Sequence, residues 1–351
     1  MKIKISASNF TFYTIVGAGI LISFLAYNIF PERFFYDSNI IINNPRNYFK
    51  GIIGSYSFSI WFYKITRLKY LPFEIIGVIQ YSIMTYIFYK IGIPKKLHIV
   101  TLKNIIIYLM FLMLAIYVSV PSKEFINFIY LSIIVFLVKK RTKNFTTTTI
   151  FSVALLLFLG GLFRPYYIIV AIVAIFIYLL SYIKIKNYKI ATISYGLVIL
   201  ICISLSYGLV KGEFISNSTR GHMLLHANIA NSAIIPPLET DTWYGESISI
   251  IYGFFSVNLP VNALKHILSP QILLFIIWQL LLFFILIREY DKSIKEGKRQ
   301  NYELWLFYIL FAYFIVQGIF EPDLGSALRH KASVFPIIYY LLNYDEFRKK
   351  I

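Results

Sequence analysis

The sequence predicts an all-α, polytopic transmembrane helical bundle of about ten spans. Three observations predict it. Of 351 residues, 58% are hydrophobic and only 14% are charged, whereas soluble domains are about one quarter charged. Apolar runs of roughly spanning length recur along the whole chain. Lysines and arginines gather in short tracts beside those runs, as membrane orientation requires. The net charge of +18 and the pI near 9.6 would suggest nucleic acid in a soluble protein. Their placement at span ends excludes that class. The one cysteine, Cys202, rules out an intrachain disulfide.

Residues 1–8 carry Lys2 and Lys4 and lead into an apolar run, 10–30, too long for a signal-peptide core and without a clear cleavage site. It reads as a retained first helix. A polar segment follows at 31–50. Residues 51–63 are apolar but short, with a basic tail at Lys64, Arg67 and Lys69, so they predict a helix lying in the interface. Further spans are predicted at 71–88, 104–120, 125–138, 148–163, 166–183 and 190–210, then at 270–287, 304–320 and 332–343. The chain reads as one integral membrane domain, 1–351, with a long external loop at about 211–269 and no repeat. With both termini cytoplasmic, 21 of the 34 Lys and Arg fall inside. The inner side is then near +15 and the outer near +3, in keeping with the positive-inside rule.

This topology puts the remaining polar residues on the outer face. They are Asp37 in the first loop; Lys123 and Glu124; Arg164 before Tyr166 and Tyr167; Arg220, His222 and His226 in the long loop; and Glu321 to Lys331, a dense polar segment holding Asp323, Arg329, His330 and Lys331. Each has a plain alternative. Arg164 can snorkel to headgroups. Lys123 and Glu124 can be a solvated helix start capped by Ser122. Asp37 can sit in a turn or cap, and so can Asp323 beside Pro322. His222 and His226 share a helix face at i and i+4 but lack the glutamate of a His-Glu-x-x-His metal motif, so no metal and no cofactor is predicted. The functional reading draws on guanidinium geometry. Arginine's planar fork matches phosphate oxygens, lysine adds a point charge, and a carboxylate or imidazole can serve as general base. Glycosyl transfer from a lipid diphosphate needs those parts.

Four segments occur in the order Phe35-Tyr36-Asp37-Ser38, Pro121-Ser122-Lys123-Glu124-Phe125-Ile126, Arg164-Pro165-Tyr166-Tyr167 and Asp323-Leu324-Gly325-Ser326-Ala327-Leu328-Arg329-His330. Together they resemble bacterial polysaccharide polymerases of the Wzy type, over most of the chain. The resemblance implies a fold related to GT-C glycosyltransferases in the bacterial cytoplasmic (inner) membrane, with its active face external. It implies transfer of a growing glycan from undecaprenyl diphosphate to a lipid-linked repeat unit, for O-antigen or capsule. It implies an undecaprenyl-diphosphate-linked oligosaccharide and membrane lipids as partners, with a flippase and a chain-length regulator of the same pathway, and no nucleic acid. Arg164 and Arg329 match the functional arginines best, followed by Lys123, Glu124, Asp37 and, more weakly, His330. Rival classes are a repeat-unit flippase or transporter, for which span interiors offer almost no ionisable residues, and another outer-face transferase: a ligase, an acyltransferase or a single-sugar glycosyltransferase.

Overall fold

The computed structural model describes residues 6–45, 49–141, 144–221, 232–260, 262–266, 268, 270–297 and 301–348. The protein is a helical membrane protein; among the described residues β-pairing is limited to one isolated bridge, Ala233 with Asp323. Among the described residues, five helices are long and apolar enough to cross a membrane, and two shorter apolar helices accompany them. The helices fall into two compact units, Met1–Pro165 with Arg329–Ile351, and Tyr166–Leu328.

In the first unit, α1 (Ala7–Ile29) starts at Ser6, whose side chain accepts from the Asn9 amide. It packs along α4 (Phe73–Ile91). Contact there is close because Gly77 lacks a side chain: a Cβ would stand 2.7 Å from the Ser23 carbonyl oxygen. Small residues at such crossings let membrane helices approach. Between them lie two short helices, α2 (Tyr36–Asn43) and α3 (Ser55–Ile65). The apolar segment read as an interfacial helix is thus helical, eleven residues long.

α5 (Leu102–Met113) begins at Thr101 and ends in a π-turn, Leu114–Val118. A bend leads to α6 (Lys123–Lys140), and α7 (Phe145–Leu162) follows from the Asn144 cap. Most starts carry the Ser, Thr or Asn that an N-cap favours. The α7 flank is exposed at Ile150 and Phe158, as expected where lipid supplies part of the contact.

In the second unit, α8 (Tyr166–Leu180) and α9 (Tyr188–Lys211) precede the segment read as a long external loop. That segment contains a sixteen-residue helix, α10 (Trp243–Asn258), capped by Thr242. α11 (Pro270–Lys295) and α12 (Tyr302–Phe320) complete the unit. α12 is buried along its whole apolar window, packed against α10 and α8. A helix apolar all round needs such enclosure.

Two sequence expectations change near the C-terminus. Residues 321–331, read as an external loop, form α13 (Leu324–Ala332). Asp323 caps it, accepting from the Ser326 amide at 2.9 Å and hydroxyl at 2.8 Å. The apolar run 332–343, read as a span, is broken by a turn at Ser333 and Val334. Only α14 (Phe335–Leu342), eight residues with a proline in its first turn, remains helical before the short α15 (Tyr344–Phe347). Eight residues reach about 12 Å, well short of a bilayer core.

Candidate functional site

The charged residues singled out in four separate segments meet inside the first unit. α6 starts the site. Its N-cap Ser122 accepts from the Phe125 amide at 3.2 Å, which places Lys123 and Glu124 in the first turn. The expected cap is present; the expected solvation is not. Lys123 is 7% exposed and Glu124 1%.

The bend before α6 is held by neutral polar groups. Gln80, fully buried on α4, turns its amide nitrogen toward the carbonyls of Val118, Ser119 and Val120 at 2.9–3.2 Å, and its oxygen accepts from the Tyr63 hydroxyl at 2.7 Å. The Tyr63 oxygen in turn accepts from the Ser122 amide at 2.8 Å. Gln80 lies about 10 Å along α4 from its Phe73 end, so the bend is recessed within the helix packing.

Arg164 follows the end of α7, where the amides of Phe163 and Arg164 both donate to the Leu159 carbonyl. Its side chain is buried, and Nη2 donates to Glu124 Oε1 at 2.7 Å. It is an ion-paired interior arginine and does not snorkel. His330 Nε2 lies 3.3 Å from the same Glu124 oxygen. Asp37, on α2, makes the second acidic centre. Its Oδ2 receives Arg329 Nη2 at 2.9 Å and Lys123 Nζ at 3.3 Å. Its Oδ1 accepts from the Tyr56 hydroxyl at 2.6 Å. The Lys123 ammonium also stands 3.8 Å above the Tyr56 ring centroid, a cation–π contact. Arg329 is the most open cation of the set, with 28% of its side chain exposed.

Two carboxylates therefore serve three permanent or near-permanent cations and one imidazole. Burial alone would push the Asp37 carboxyl up; Lys123, Arg329 and the Tyr56 hydroxyl outweigh it and hold it below the ordinary range. Burial likewise opposes Glu124 ionisation, but Arg164, Arg329, His330 and Lys123 drive its carboxyl far below the usual value. Burial draws the Lys123 ammonium down, with Asp37 and Glu124 pulling back. It would do the same to Arg329, but the two acids raise that guanidinium above its usual value. Burial and the charge of Asp37 push the Tyr56 hydroxyl up, so it stays a donor. Both carboxylates are anionic at neutral pH, set between the two guanidiniums and the Lys123 amine.

Lys331 belongs to the first unit and is 1% exposed. Tyr166, Tyr167, Arg220 and Asp323 belong to the second unit. Tyr166 stacks on Phe320 at 4.3 Å between centroids, and Tyr167, buried, stacks with Tyr313; these are packing roles. Asp323 is the α13 cap. His222 and His226 lie outside the described residues, and among the described residues no three His, Cys, Asp or Glu gather as a metal site. Sequence reasoning missed Tyr56, Tyr63 and Gln80. The two tyrosines sit seven residues apart on α3, two helical turns on one face, which was a readable signal; a lone glutamine in an apolar run was not. Comparison with protein-family models, with curated proteins and with solved structures found no match.

Proposed function

We propose that this chain is a membrane glycosyltransferase, a polysaccharide polymerase that extends a glycan carried on undecaprenyl diphosphate, with its active face outside the cytoplasmic membrane. The observation that carries the reading is the buried cluster with more cations than carboxylates, open at Arg329. Such a cluster can take a diphosphate: Arg329 and Lys123, now shared by Asp37, offer forked and point-charge donors to phosphate oxygens.

In the reaction, the acceptor sugar's hydroxyl oxygen bonds to the donor's anomeric carbon. The bond from that carbon to the diphosphate oxygen breaks, and the diphosphate leaves with the electron pair. Its growing charge meets Arg329, Lys123 and, behind them, Arg164. Preorganised donors of this kind are often the largest catalytic contribution. The acceptor's proton goes to His330, with Glu124 stabilising the imidazolium formed. Asp37 is a poor base, since its low pKa and three donors leave it little affinity for a proton.

An apolar groove of about 170 Å³ favours a lipid-linked substrate. Phe58, Phe62, Ile126, Phe158 and Phe163 help line it; Phe163 adjoins Arg164 in sequence, and Ile126 lies two positions after Glu124. The test is genetic. Deleting the gene should leave single repeat units on the surface and remove long chains. Arg164→Ala and Arg329→Ala should each abolish chain extension at unchanged membrane level. Normal chain lengths in both variants would end the assignment. If no repeat unit reaches the surface after deletion, a flippase explains the chain better.

A further inference from the structure

The second unit holds another buried arginine in a different setting. Arg220 lies in a π-turn, Asn217–Gly221, and is 1% exposed. Nη1 donates to the Gly318 carbonyl at 3.2 Å; Nη2 donates to the Ser249 carbonyl at 3.3 Å and to the Ser249 hydroxyl. These three contacts use three of five guanidinium N–H groups, and Arg220 makes no ion pair among the described residues. The seat is built for it. A Cβ on Gly253 would lie 1.9 Å from the Gly318 oxygen and 2.7 Å from Arg220 Nη1, so α10 and α12 cross closely enough to hold the guanidinium only with glycine there.

Part of this is structural, because an arginine on the last turn of α12 satisfies a terminal carbonyl and suits the helix dipole. Neutral acceptors do not neutralise a buried cation, however, and burying one is costly without a counter-charge. Burial draws the guanidinium down to about 10, against the pull of Glu246, so it stays charged at neutral pH. Arg220 lines a cavity of about 320 Å³ with Ser216, Pro236, Pro237, Glu239 and Thr240. That is the lower end of ligand-site volumes, suited to one sugar ring. The walls are fixed: the Ile234 amide donates to the Pro322 carbonyl at 2.8 Å, the Asn217 side chain donates to the Thr240 carbonyl at 3.2 Å, and the Ser216 hydroxyl is held by Glu246.

We propose that the second unit binds an anionic sugar residue at Arg220, a hexose bearing one carboxylate or phosphate. The guanidinium takes the oxyanion. Glu239, exposed at the rim, and Thr240 meet ring hydroxyls, and the two prolines cover an apolar ring face. The choice of a sugar rests on the glycosyl-transfer reading.

The test uses the full-length protein in lipid nanodiscs, titrated with glucuronate, glucose 6-phosphate and glucose. At least one anionic sugar should bind tenfold or more tighter than glucose, and which one does identifies a uronate or a phosphosugar. Arg220→Gln should remove that preference, and Arg220→Lys should keep part of it. Because Arg220 also supports α12, Leu238→Trp provides a second variant; it changes a different lining residue of the cavity and should cause the same loss. Equal binding of all three sugars, or a preference surviving either Arg220→Gln or Leu238→Trp, overturns the proposal. Chain extension measured in parallel separates the two ideas. Arg164→Ala should abolish extension yet keep anionic-sugar binding; extension that survives Arg164→Ala while binding remains Arg220-dependent overturns the polymerase site alone.

Discussion

Arg164 and Arg220 are both buried, one in each unit, yet they are satisfied by different chemistry. Arg164 pairs with Glu124 at 2.7 Å in a cluster containing a second acid, Asp37. Arg220 rests on two carbonyls and a hydroxyl, with Glu246 acting only from a distance. A paired interior charge has its counter-ion within the fold, and removing either partner strands the other. A charge held by neutral acceptors stays electrostatically open, and a ligand can complete it. The first arrangement favours precise placement of cations for chemistry, the second favours capture.

The sharpest way to break this contrast is to remove Glu124. Glu124→Ala should cost about 3–5 kcal/mol, the usual penalty for stranding one member of a buried pair, read as a large fall in melting temperature in detergent. An unchanged melting temperature would mean Arg164 is neutralised by something else. A double-mutant cycle then sharpens it. Glu124 with Arg164 should show a coupling in the range of about 0.5–3 kcal/mol found for residues in contact, and Glu246 with Arg220 distinctly less; equal couplings would erase the distinction. Tyr56→Phe keeps the ring beneath Lys123 but removes the hydroxyl from Asp37. It should cost about 1.5–3 kcal/mol, as for hydrogen bonds to charged groups, and raise the Asp37 pKa, visible by carboxyl NMR.

The smallest effect is on acid stability. Both cluster carboxyls are lowered on folding, so they bind fewer protons folded than unfolded. Their contribution is complete above the ordinary values of 3.8 and 4.5 and is lost as pH falls through the lower folded values. Melting temperature should vary little with these groups from pH 8 to about 5 and decline below about 4. A decline centred near pH 6 would place a histidine, not these carboxylates, in control.

Much of the cluster was legible in the chain, because a charge in a strongly apolar sequence has few innocent reasons to be there. Asp37, Lys123, Glu124, Arg164 and Arg329 were each found that way. Their pairing was not legible, since Asp37 and Arg329 are nearly three hundred positions apart and nothing local links them. Helix content followed hydropathy well for α7, α8 and α9. It misled at 332–343, where an apolar run looked like a span because hydropathy measures composition and not the turn at Ser333. The polar segment at 321–331 was read as a loop for the opposite reason. Its buried positions Leu324, Ala327 and Lys331 repeat at helical spacing, but charge masked the period. Tyr166 and Tyr167 were singled out beside Arg164, and in the fold they stack on Phe320 and Tyr313.

The π-turn at Leu114–Val118 gives the charged cluster a dependence on residue count. A π-turn is an α-helix with one residue too many, a feature frequent at functional sites. The Ser119 amide reaches back five residues to the Leu114 carbonyl, and Gln80 grips the carbonyls that follow. Deleting one residue from this turn would restore an ordinary helix, shorten the path by about 1.5 Å and rotate everything after it by about 100°. Lys123 and Glu124 would then be displaced together from Asp37 and Arg164, so a single-codon deletion upstream would disrupt the cluster without altering any of its side chains.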